Sequence, residues 1–180
     1  HEAGIPVTVL PGACACVSAL AVSGLPTRRF CFEAFLPADK KERQEILESL
    51  KEETRTMILY EAPHRLVKTL GELLEALGDR KASVCRELTK KHETVFLTTL
   101  SQALAYYQEN EPKGECVILA EGKSFQEKAR EKHLEWQEMP VEEHMELYLS
   151  RGMEKKEAMK QVARDRGVSR REIYQALLKE

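Results

Sequence analysis

The sequence predicts an α/β fold in which helices flank a mixed five-stranded sheet, followed by a small all-α helix-turn-helix tail. As far as Gly122, short apolar runs typical of strands alternate with amphipathic helical patterns. Two strand-like runs, 82–86 and 94–97, are close enough in sequence to form a hairpin, which favours a mixed sheet. Beyond Gly122 charged residues dominate, so we predict an α/β domain over 1–122 and a linker helix with a helical domain over 123–180.

The α/β part begins with Pro6 to Leu10, a short apolar run that predicts a strand. Pro11 and Gly12 turn this run into a helix of small residues, which Gly24 ends. Glycine and proline punctuate the later elements in the same way. The predicted elements are, in order, strand 6–10, helix 13–23, strand 30–35, helix 39–51, strand 56–60, helix 63–77, strands 82–86 and 94–97, helix 101–108 and strand 115–121.

The tail has helical periodicity and almost no β-branched residues before Val141. Its first segment is a polar helix or linker in which Trp136 is the only large anchor. The predicted elements are this segment over 123–139 and helices over 140–150, 154–166 and 170–179.

The last two predicted helices have the spacing of a helix-turn-helix. Gly167 supplies the positive φ that a tight interhelical turn requires, and Ala163 is small where the second helix crosses the first. Ser169 and Glu172 form a capping box that fixes the start of the second helix. The basic side chains predicted to contact nucleic-acid phosphates here are Lys160, Arg170 and Arg171. The alternative is a three-helix module used for packing or dimer contacts.

Charge separates the two parts of the chain. The net charge of −2 gives no overall basic field that would attract nucleic acid. Residues 151–180 nevertheless carry 9 Lys and Arg against 5 Asp and Glu, whereas residues 1–122 carry 15 against 18. A polyanionic partner would therefore meet a favourable field only at the tail.

The 5 cysteines lie in apolar runs, without a CxxC pair and without a histidine at metal-ligand spacing. We interpret them as buried free thiols in a reducing cytosol and predict no metal site. The longest apolar stretch, near 14–22, is too short to span a bilayer, and no basic segment precedes an apolar core as in a signal peptide. The sequence predicts a cytoplasmic protein.

The first residues read as the end of a helix, with Gly4 as its C-cap, followed by a strand. The helix that Gly4 would end is not in the sequence. We therefore expect upstream sequence to precede this chain in the natural protein.

Several motifs follow one another in order between residues 3 and 122. They are Leu10-Pro11-Gly12-Ala13, Ser23-Gly24-Leu25-Pro26, Phe30-Cys31-Phe32-Glu33-Ala34-Phe35-Leu36-Pro37, Tyr60-Glu61-Ala62-Pro63-His64-Arg65, Arg86-Glu87-Leu88-Thr89-Lys90 and Leu119-Ala120-Glu121-Gly122. Together they resemble the tetrapyrrole (corrin/porphyrin) methylase superfamily, and most specifically its branch that methylates small-subunit ribosomal RNA. The helical tail resembles the tail of the same branch.

The resemblance implies a bilobal fold that holds S-adenosylmethionine between two lobes, of which this chain contains the C-terminal one. It implies 2'-O-methylation of a cytidine in the 16S rRNA of the 30S subunit, and it favours a homodimer. We expect the chain without its N-terminal lobe to be inactive. The cofactor-binding positions that the resemblance carries over are Cys14, Ala15, Tyr60, Glu61, Leu88, Ile118 and Leu119.

Each of these positions has a structural alternative. Cys14 and Ala15 are also small enough for tight helix packing, and Leu88, Ile118 and Leu119 suit an ordinary core. A carboxylate such as Glu61, directly after a buried strand, needs a partner. If His64 or Arg65 is that partner, the role of Glu61 is structural.

Methyl transfer to a ribose hydroxyl benefits from a general base, or from a cation that stabilises the alkoxide. The candidates in this chain are Glu87, Lys90 and His64, which follow strand ends, where open α/β sheets place ligands. A surface salt bridge is the alternative for each, and the base could belong to the absent lobe. Near the same cleft we predict RNA contacts by Arg65, Arg86 and Lys91.

Two other functions remain open at this point. One is a methylase with a small tetrapyrrole-type substrate, which would not need a basic helical tail. The other is a non-enzymatic regulator that binds nucleic acid through the tail and uses the α/β part for dimerisation or ligand sensing.

Overall fold

The computed structural model describes residues 1–178, which form two compact units, one over 1–123 and one from residue 124 onward. The first unit contains the whole sheet, and the second is helical. The predicted last helix extends to Lys179, which lies outside the described residues. No helix in the described part of the chain combines the length and apolar character needed to cross a membrane.

Strands and helices alternate along the first unit, except for two consecutive strands before its last helix. A single 3₁₀ turn, Pro63–Arg65, precedes α3. The elements are α1 (Ala15–Val22), β1 (Phe30–Phe35), α2 (Lys40–Leu50), β2 (Thr56–Glu61), α3 (Leu66–Leu77), β3 (Lys81–Arg86), β4 (Thr94–Thr99), α4 (Leu100–Glu109) and β5 (Cys116–Ala120).

The five strands form one mixed sheet in the order β1-β2-β5-β3-β4. β1 and β2 are parallel, while β5 runs antiparallel to both of its neighbours, β2 and β3. β3 and β4 pair as an antiparallel hairpin from Lys81–Thr99 to Arg86–Thr94. The predicted mixed five-stranded α/β architecture is therefore confirmed.

The sheet packs on both faces. The larger core lies against α2, α3 and α4 and includes Met57, Leu70 and Ile118. The smaller core lies against α1 and includes Leu20 and Leu119. Because successive strand residues point to opposite faces, one strand supplies side chains to both cores. Towards one end of the sheet the smaller core gives way to an open cavity.

The prediction of a strand over 6–10 is wrong. Residues 4–14 have no regular secondary structure, and Val9 and Leu10 are 85% and 87% exposed. A strand requires a neighbour whose backbone groups pair with its own. Within residues 1–178 none of the five strands pairs with this apolar segment.

The second unit comprises α5 (Phe125–Glu138), α6 (Val141–Leu149), α7 (Lys155–Arg166) and α8 (Arg170–Ala176). Its core is formed by buried residues of α6, α7 and α8, among them Met145, Val162 and Ile173. The turn between α7 and α8 has the expected local geometry. Gly167 adopts φ 67°, and Ser169 and Glu172 form a reciprocal capping box.

The centre of this unit contains a buried histidine that the sequence did not single out. The His144 ring is fully buried and stacks on Trp136, with 5.3 Å between ring centroids. Its Nδ1 accepts a hydrogen bond from Arg166 Nε at 3.1 Å, and its Nε2 lies 3.5 Å from Asp165 Oδ2. The Tyr148 hydroxyl donates to the same Asp165 carboxylate.

We expect acid to destabilise the helical unit through His144. Burial, assisted by the Arg166 charge and opposed by Asp165, lowers the pKa of His144 below its ordinary value of 6.5. As pH falls below 6.5, the unfolded chain binds a proton that the folded unit resists, so stability is lost with decreasing pH. Denaturant unfolding between neutral pH and about pH 5, followed by the fluorescence of Trp136, measures this loss.

The matched control is His144→Gln, which keeps an acceptor for Arg166 but does not titrate in this range. Its unfolding free energy should be nearly flat where that of the parent chain declines. Equal slopes in the two proteins would show that another group causes the acid sensitivity.

Candidate active site

A cavity of 340 Å³ lies at the end of the sheet where β2 and β3 finish and β5 begins. It meets the start of α1 and the loop after β3. Five predicted residues share its wall: Ala15, Tyr60, Glu87, Leu88 and Lys90. The geometry thus brings three predicted cofactor positions and two predicted catalytic candidates to one place.

Tyr60 connects the end of β2 to the start of α1. Its hydroxyl accepts a hydrogen bond from the Cys16 backbone N–H at 3.0 Å. Its ring meets Phe32 and Phe35 edge-on, with centroid separations of 4.9 and 5.7 Å. Burial raises the pKa of this phenol, which stays neutral at physiological pH. Tyr60 therefore forms a fixed, uncharged aromatic wall.

The loop after β3 has an unusual backbone. Glu87 and Thr89 both adopt positive φ, 49° and 66°, a region that non-glycine residues seldom occupy. The Glu87 carboxylate pairs with Lys90 Nζ at 3.1 Å, and Glu93 accepts from the Thr89 N–H at 2.6 Å. Such conformations persist where surrounding contacts impose them, and they concentrate at functional sites.

Gly114 lies against the Glu87 side chain. A Cβ at this glycine would come within 2.2 Å of Glu87 Oε1 and 3.0 Å of Glu87 Cγ, and the glycine adopts φ 75°. The absence of a side chain at Gly114 thus allows the carboxylate of Glu87 to occupy its position between the loop and β5.

We expect Gly114→Ala to cost about 1–2 kcal/mol of stability from backbone strain and to displace the Glu87 carboxylate. Gly78→Ala is the matched control, because Gly78 also adopts φ 75° but has open space around its Cβ position. Both variants should lose stability in urea unfolding, because an alanine would be strained at either positive φ. Only Gly114→Ala should also lose the methyl-transfer activity that the family resemblance implies for the protein containing this chain, and equal activities would contradict the placement.

Glu61 does not line the cavity. The adjacent Tyr60 faces the cavity, so the Glu61 side chain points to the opposite face of the sheet, where it is 1% exposed. There its carboxylate accepts from Thr69 Oγ1 at 2.6 Å and lies 3.6 Å from Arg65 Nε. This placement favours the structural alternative for Glu61, with Arg65 as one partner, over a cofactor contact.

Four other predicted positions also lie away from the cavity wall. Cys14 is exposed beside it, contrary to the expectation of a buried thiol, although all five cysteines are free. Ile118 belongs to the core on the opposite face, and Leu119 lies below the cavity in the smaller core. His64 is exposed on the 3₁₀ turn.

The predicted RNA-binding residues fall into different environments. Arg65 donates from Nη2 to the Leu36 carbonyl at 3.3 Å besides its contact with Glu61, so part of its binding capacity is used within the protein. Arg86 lies at the end of β3, and Lys91 is exposed in the loop that follows. The predicted RNA-binding residues of the second unit, Lys160, Arg170 and Arg171, are all exposed.

Further residues line the cavity that the sequence did not indicate. They are Phe35, Cys85, Glu115, Cys116 and Val117. Val117 precedes the predicted Ile118 by one residue, and neighbouring residues of a strand point to opposite faces of the sheet. No sequence pattern distinguished Glu115 from an ordinary surface residue, because an exposed glutamate directly before a strand is common. Within residues 1–178 no group of three or more His, Cys, Asp or Glu side chains is arranged to hold a metal ion.

Comparison with known sequences identifies relatives of the whole chain. The sequence model of the tetrapyrrole (corrin/porphyrin) methylases matches residues 1–104. Ribosomal RNA small subunit methyltransferase I of Halalkalibacterium halodurans is 46% identical over 171 residues, which cover 95% of this chain and 58% of that protein. The Bacillus subtilis protein of the same name is 44% identical over 170 residues, covering 94% and 58%.

The chain therefore spans 58% of the length of these curated relatives. Among solved structures, a cobalt precorrin-4 methyltransferase of cobalamin biosynthesis superimposes with a TM-score of 0.51 at 19% identity, covering 67% of this chain and 54% of that one. At this identity the similarity concerns the fold alone.

Proposed function

The chain belongs to the tetrapyrrole (corrin/porphyrin) methylase family, and from this premise we propose that it forms part of an S-adenosylmethionine-dependent methyltransferase that modifies small-subunit ribosomal RNA. More specifically, we propose 2'-O-methylation of a cytidine in 16S rRNA. The name shared by the relatives at 44–46% identity supports the substrate class.

The observation that supports the proposal best is the cavity at the sheet end. Its volume of 340 Å³ lies within the usual range for small-molecule sites. Tyr60, Leu88 and Val117 give it an apolar and aromatic wall suited to a nucleoside, while Glu87 and Glu115 add negative charge suited to a sulfonium. These residues fit one side of a methyl-donor site. S-adenosylmethionine, when bound, supplies an electrophilic methyl group.

The proposed work of the chain is to orient the ribose hydroxyl and to receive its proton. Glu87 is one of two carboxylates at the cavity wall. It would accept the proton of the 2'-hydroxyl as that oxygen bonds to the methyl carbon and the bond from this carbon to the donor sulfur breaks, its electron pair staying on sulfur. Lys90, paired with Glu87, holds the carboxylate in place and offsets the developing negative charge on the oxygen. The Tyr60 and Leu88 side chains exclude water from the same space.

Exposed apolar surface around the cavity supports the expected bilobal arrangement. Phe32 and Phe35 on β1 are 46% and 51% exposed, and Val17 on α1 is 52% exposed. Patches of this kind mark surfaces that other protein covers. We propose that an N-terminal lobe covers this face in a cytoplasmic homodimer. The basic tail would add phosphate contacts to structured RNA.

The experiment is transfer of a labelled methyl group from S-adenosylmethionine by the protein that contains this chain. The acceptors are 30S subunits lacking the modification and, separately, a porphyrinogen. We expect label at a ribose 2'-oxygen of 16S rRNA and none in the porphyrinogen. Label only in the porphyrinogen would favour the small-molecule alternative. Absence of transfer to both, with tail-dependent nucleic-acid binding, would favour a regulator.

A further inference from the structure

A second cavity, of 420 Å³, adjoins the candidate active site and has a different charge. It is lined by Arg86, Glu87, His92, Lys113 and Gly114, so two permanent cations and a histidine face one carboxylate. That carboxylate, Glu87, also lines the first cavity and is paired with Lys90 at 3.1 Å. The second cavity therefore has a net positive lining.

The cationic wall is held by hydrogen bonds from the chain itself. Arg86 Nη1 donates to the Lys113 carbonyl at 3.0 Å, and Arg86 Nε donates to Thr94 Oγ1 at 3.2 Å. These bonds join the end of β3 to β4 and to the segment before β5. The Arg86 guanidinium and the Lys113 backbone are thus fixed relative to each other.

We propose that this second cavity is a binding site for an RNA phosphodiester, with Arg86 and Lys113 as its anion-binding residues. The proposal rests on the proposed function and adds the position of the substrate backbone. Arginine and lysine are the side chains that bind phosphate best, arginine through its planar fork and lysine as a point charge.

Glu87 lines both cavities, and this position relates the proposed phosphate site to the reacting hydroxyl. In a ribonucleotide the 2'-hydroxyl and the 3'-phosphate are attached to neighbouring carbons of one ribose. A phosphate in the cationic cavity therefore brings its 2'-hydroxyl to the wall that the cavities share, where Glu87 stands. RNA-binding proteins commonly use such backbone and hydroxyl contacts.

The two cavities also differ in the charge they favour. The first contains Glu87 and Glu115 against the single cation Lys90, which suits a positively charged methyl donor. The second suits a phosphate. This contrast disfavours exchange of the two ligands between the cavities.

The test measures binding of a short RNA that carries a cytidine to the protein that contains this chain, here called the parent, by fluorescence anisotropy over a range of salt. The variants are Arg86→Gln and Lys113→Gln, and the matched control is Lys41→Gln on the exposed face of α2. Each cavity variant should bind RNA several-fold more weakly and lower the salt slope by about 0.7, the amount expected for one lost contact to single-stranded RNA. The control should match the parent chain.

A set of RNAs with single neutral methylphosphonate linkages then locates the contact. At one linkage, beside the target ribose, the neutral methylphosphonate should weaken RNA binding by the parent. The same linkage should cause no further loss of affinity in the Lys113→Gln variant, because the contact is already absent there. Additive losses at every linkage would overturn the proposal, and so would a variant that loses S-adenosylmethionine binding instead of RNA binding. Because Lys113 is exposed, its variant should keep the parent's circular dichroism even if Arg86→Gln misfolds.

Failure of this proposal is distinguishable from failure of the proposed function. If the neutral linkage and Lys113→Gln have non-additive effects on RNA affinity at one linkage (coupling), but no methyl is transferred, the phosphate site would be supported and the proposed reaction contradicted. Methyl transfer by the parent protein without coupling at any linkage would support the reaction and contradict the site.

Discussion

Arg43→Met is expected to destabilise the α/β unit by about 3–5 kcal/mol, because it removes a buried guanidinium whose positive charge balances the carboxylates of Glu61 and Glu72. The Arg43 side chain on α2 is 5% exposed, and that of Glu61 at the end of β2 is 1% exposed. Removing one member of such a pair costs far more than removing both, since the remaining ion cannot recover its hydration.

Arg43 has further partners that increase the expected loss. Its Nη2 donates to Thr69 Oγ1 at 2.7 Å, and that hydroxyl donates to Glu61 Oε2 at 2.6 Å. Its Nε donates to Glu72 Oε2 at 2.6 Å. One guanidinium thus links α2, α3 and the end of β2.

The measurement is urea unfolding of the chain at neutral pH. Lys41→Met is the matched control, because Lys41 lies on the same helix with 87% of its side chain exposed, and its loss should stay below about 1 kcal/mol. The double variant Arg43→Met with Glu61→Gln should be less destabilised than the sum of its two single variants. A loss under about 1 kcal/mol for Arg43→Met alone would contradict the network.

The fold was largely predictable because each element has a local signal. Asp39 caps α2, at the residue where a helix was predicted to begin, and Ser169 caps α8 as predicted; each side chain accepts at least one backbone N–H bond. The segment 6–10 has the same apolar character as a true strand, but strand formation depends on a distant partner. No local pattern reveals whether that partner is present.

The candidate site was predictable only in part, for a reason specific to strands. Family resemblance located the end of β2, but Tyr60 and Glu61 are neighbours that face opposite sides of the sheet. An assignment that is wrong by one residue therefore exchanges a residue of the cavity wall for one in a buried ion network. In the same way, Val117 lines the cavity while its neighbour Ile118 lies in the core on the opposite face. The family itself was predicted correctly, because that prediction rests on several complete motifs and does not depend on the exact position of a single residue.

The cationic cavity lay beyond sequence reasoning for another reason. Arg86 and Lys113 are far apart in the sequence, and their proximity depends on the pairing of β3 with β5. Lys113 and His92 had no motif that distinguished them from surface charges. Only the sheet order brings them to one cavity.

If Glu87 is the proposed proton acceptor, Glu87→Gln should lower kcat by about 10²–10⁴-fold in the protein that contains this chain, because the amide cannot accept the hydroxyl proton. The amide has nearly the same shape as the carboxylate, so its packing against Gly114 should persist. Stability should change by no more than about 1 kcal/mol, since Lys90 in the lost ion pair is 66% exposed. Steady-state methyl transfer and urea unfolding together measure both quantities.

Glu115→Gln is the control that separates proton acceptance from simple electrostatics. Glu115 lines the first cavity but not the second, so its loss should weaken binding of the cationic methyl donor and leave kcat at saturation nearly unchanged. If both variants reduced kcat equally, the negative charge of the cavity would be the relevant property. If Glu87→Gln kept kcat within about tenfold of the parent value, the base would have to be sought elsewhere, because removing a positioned base costs more than that.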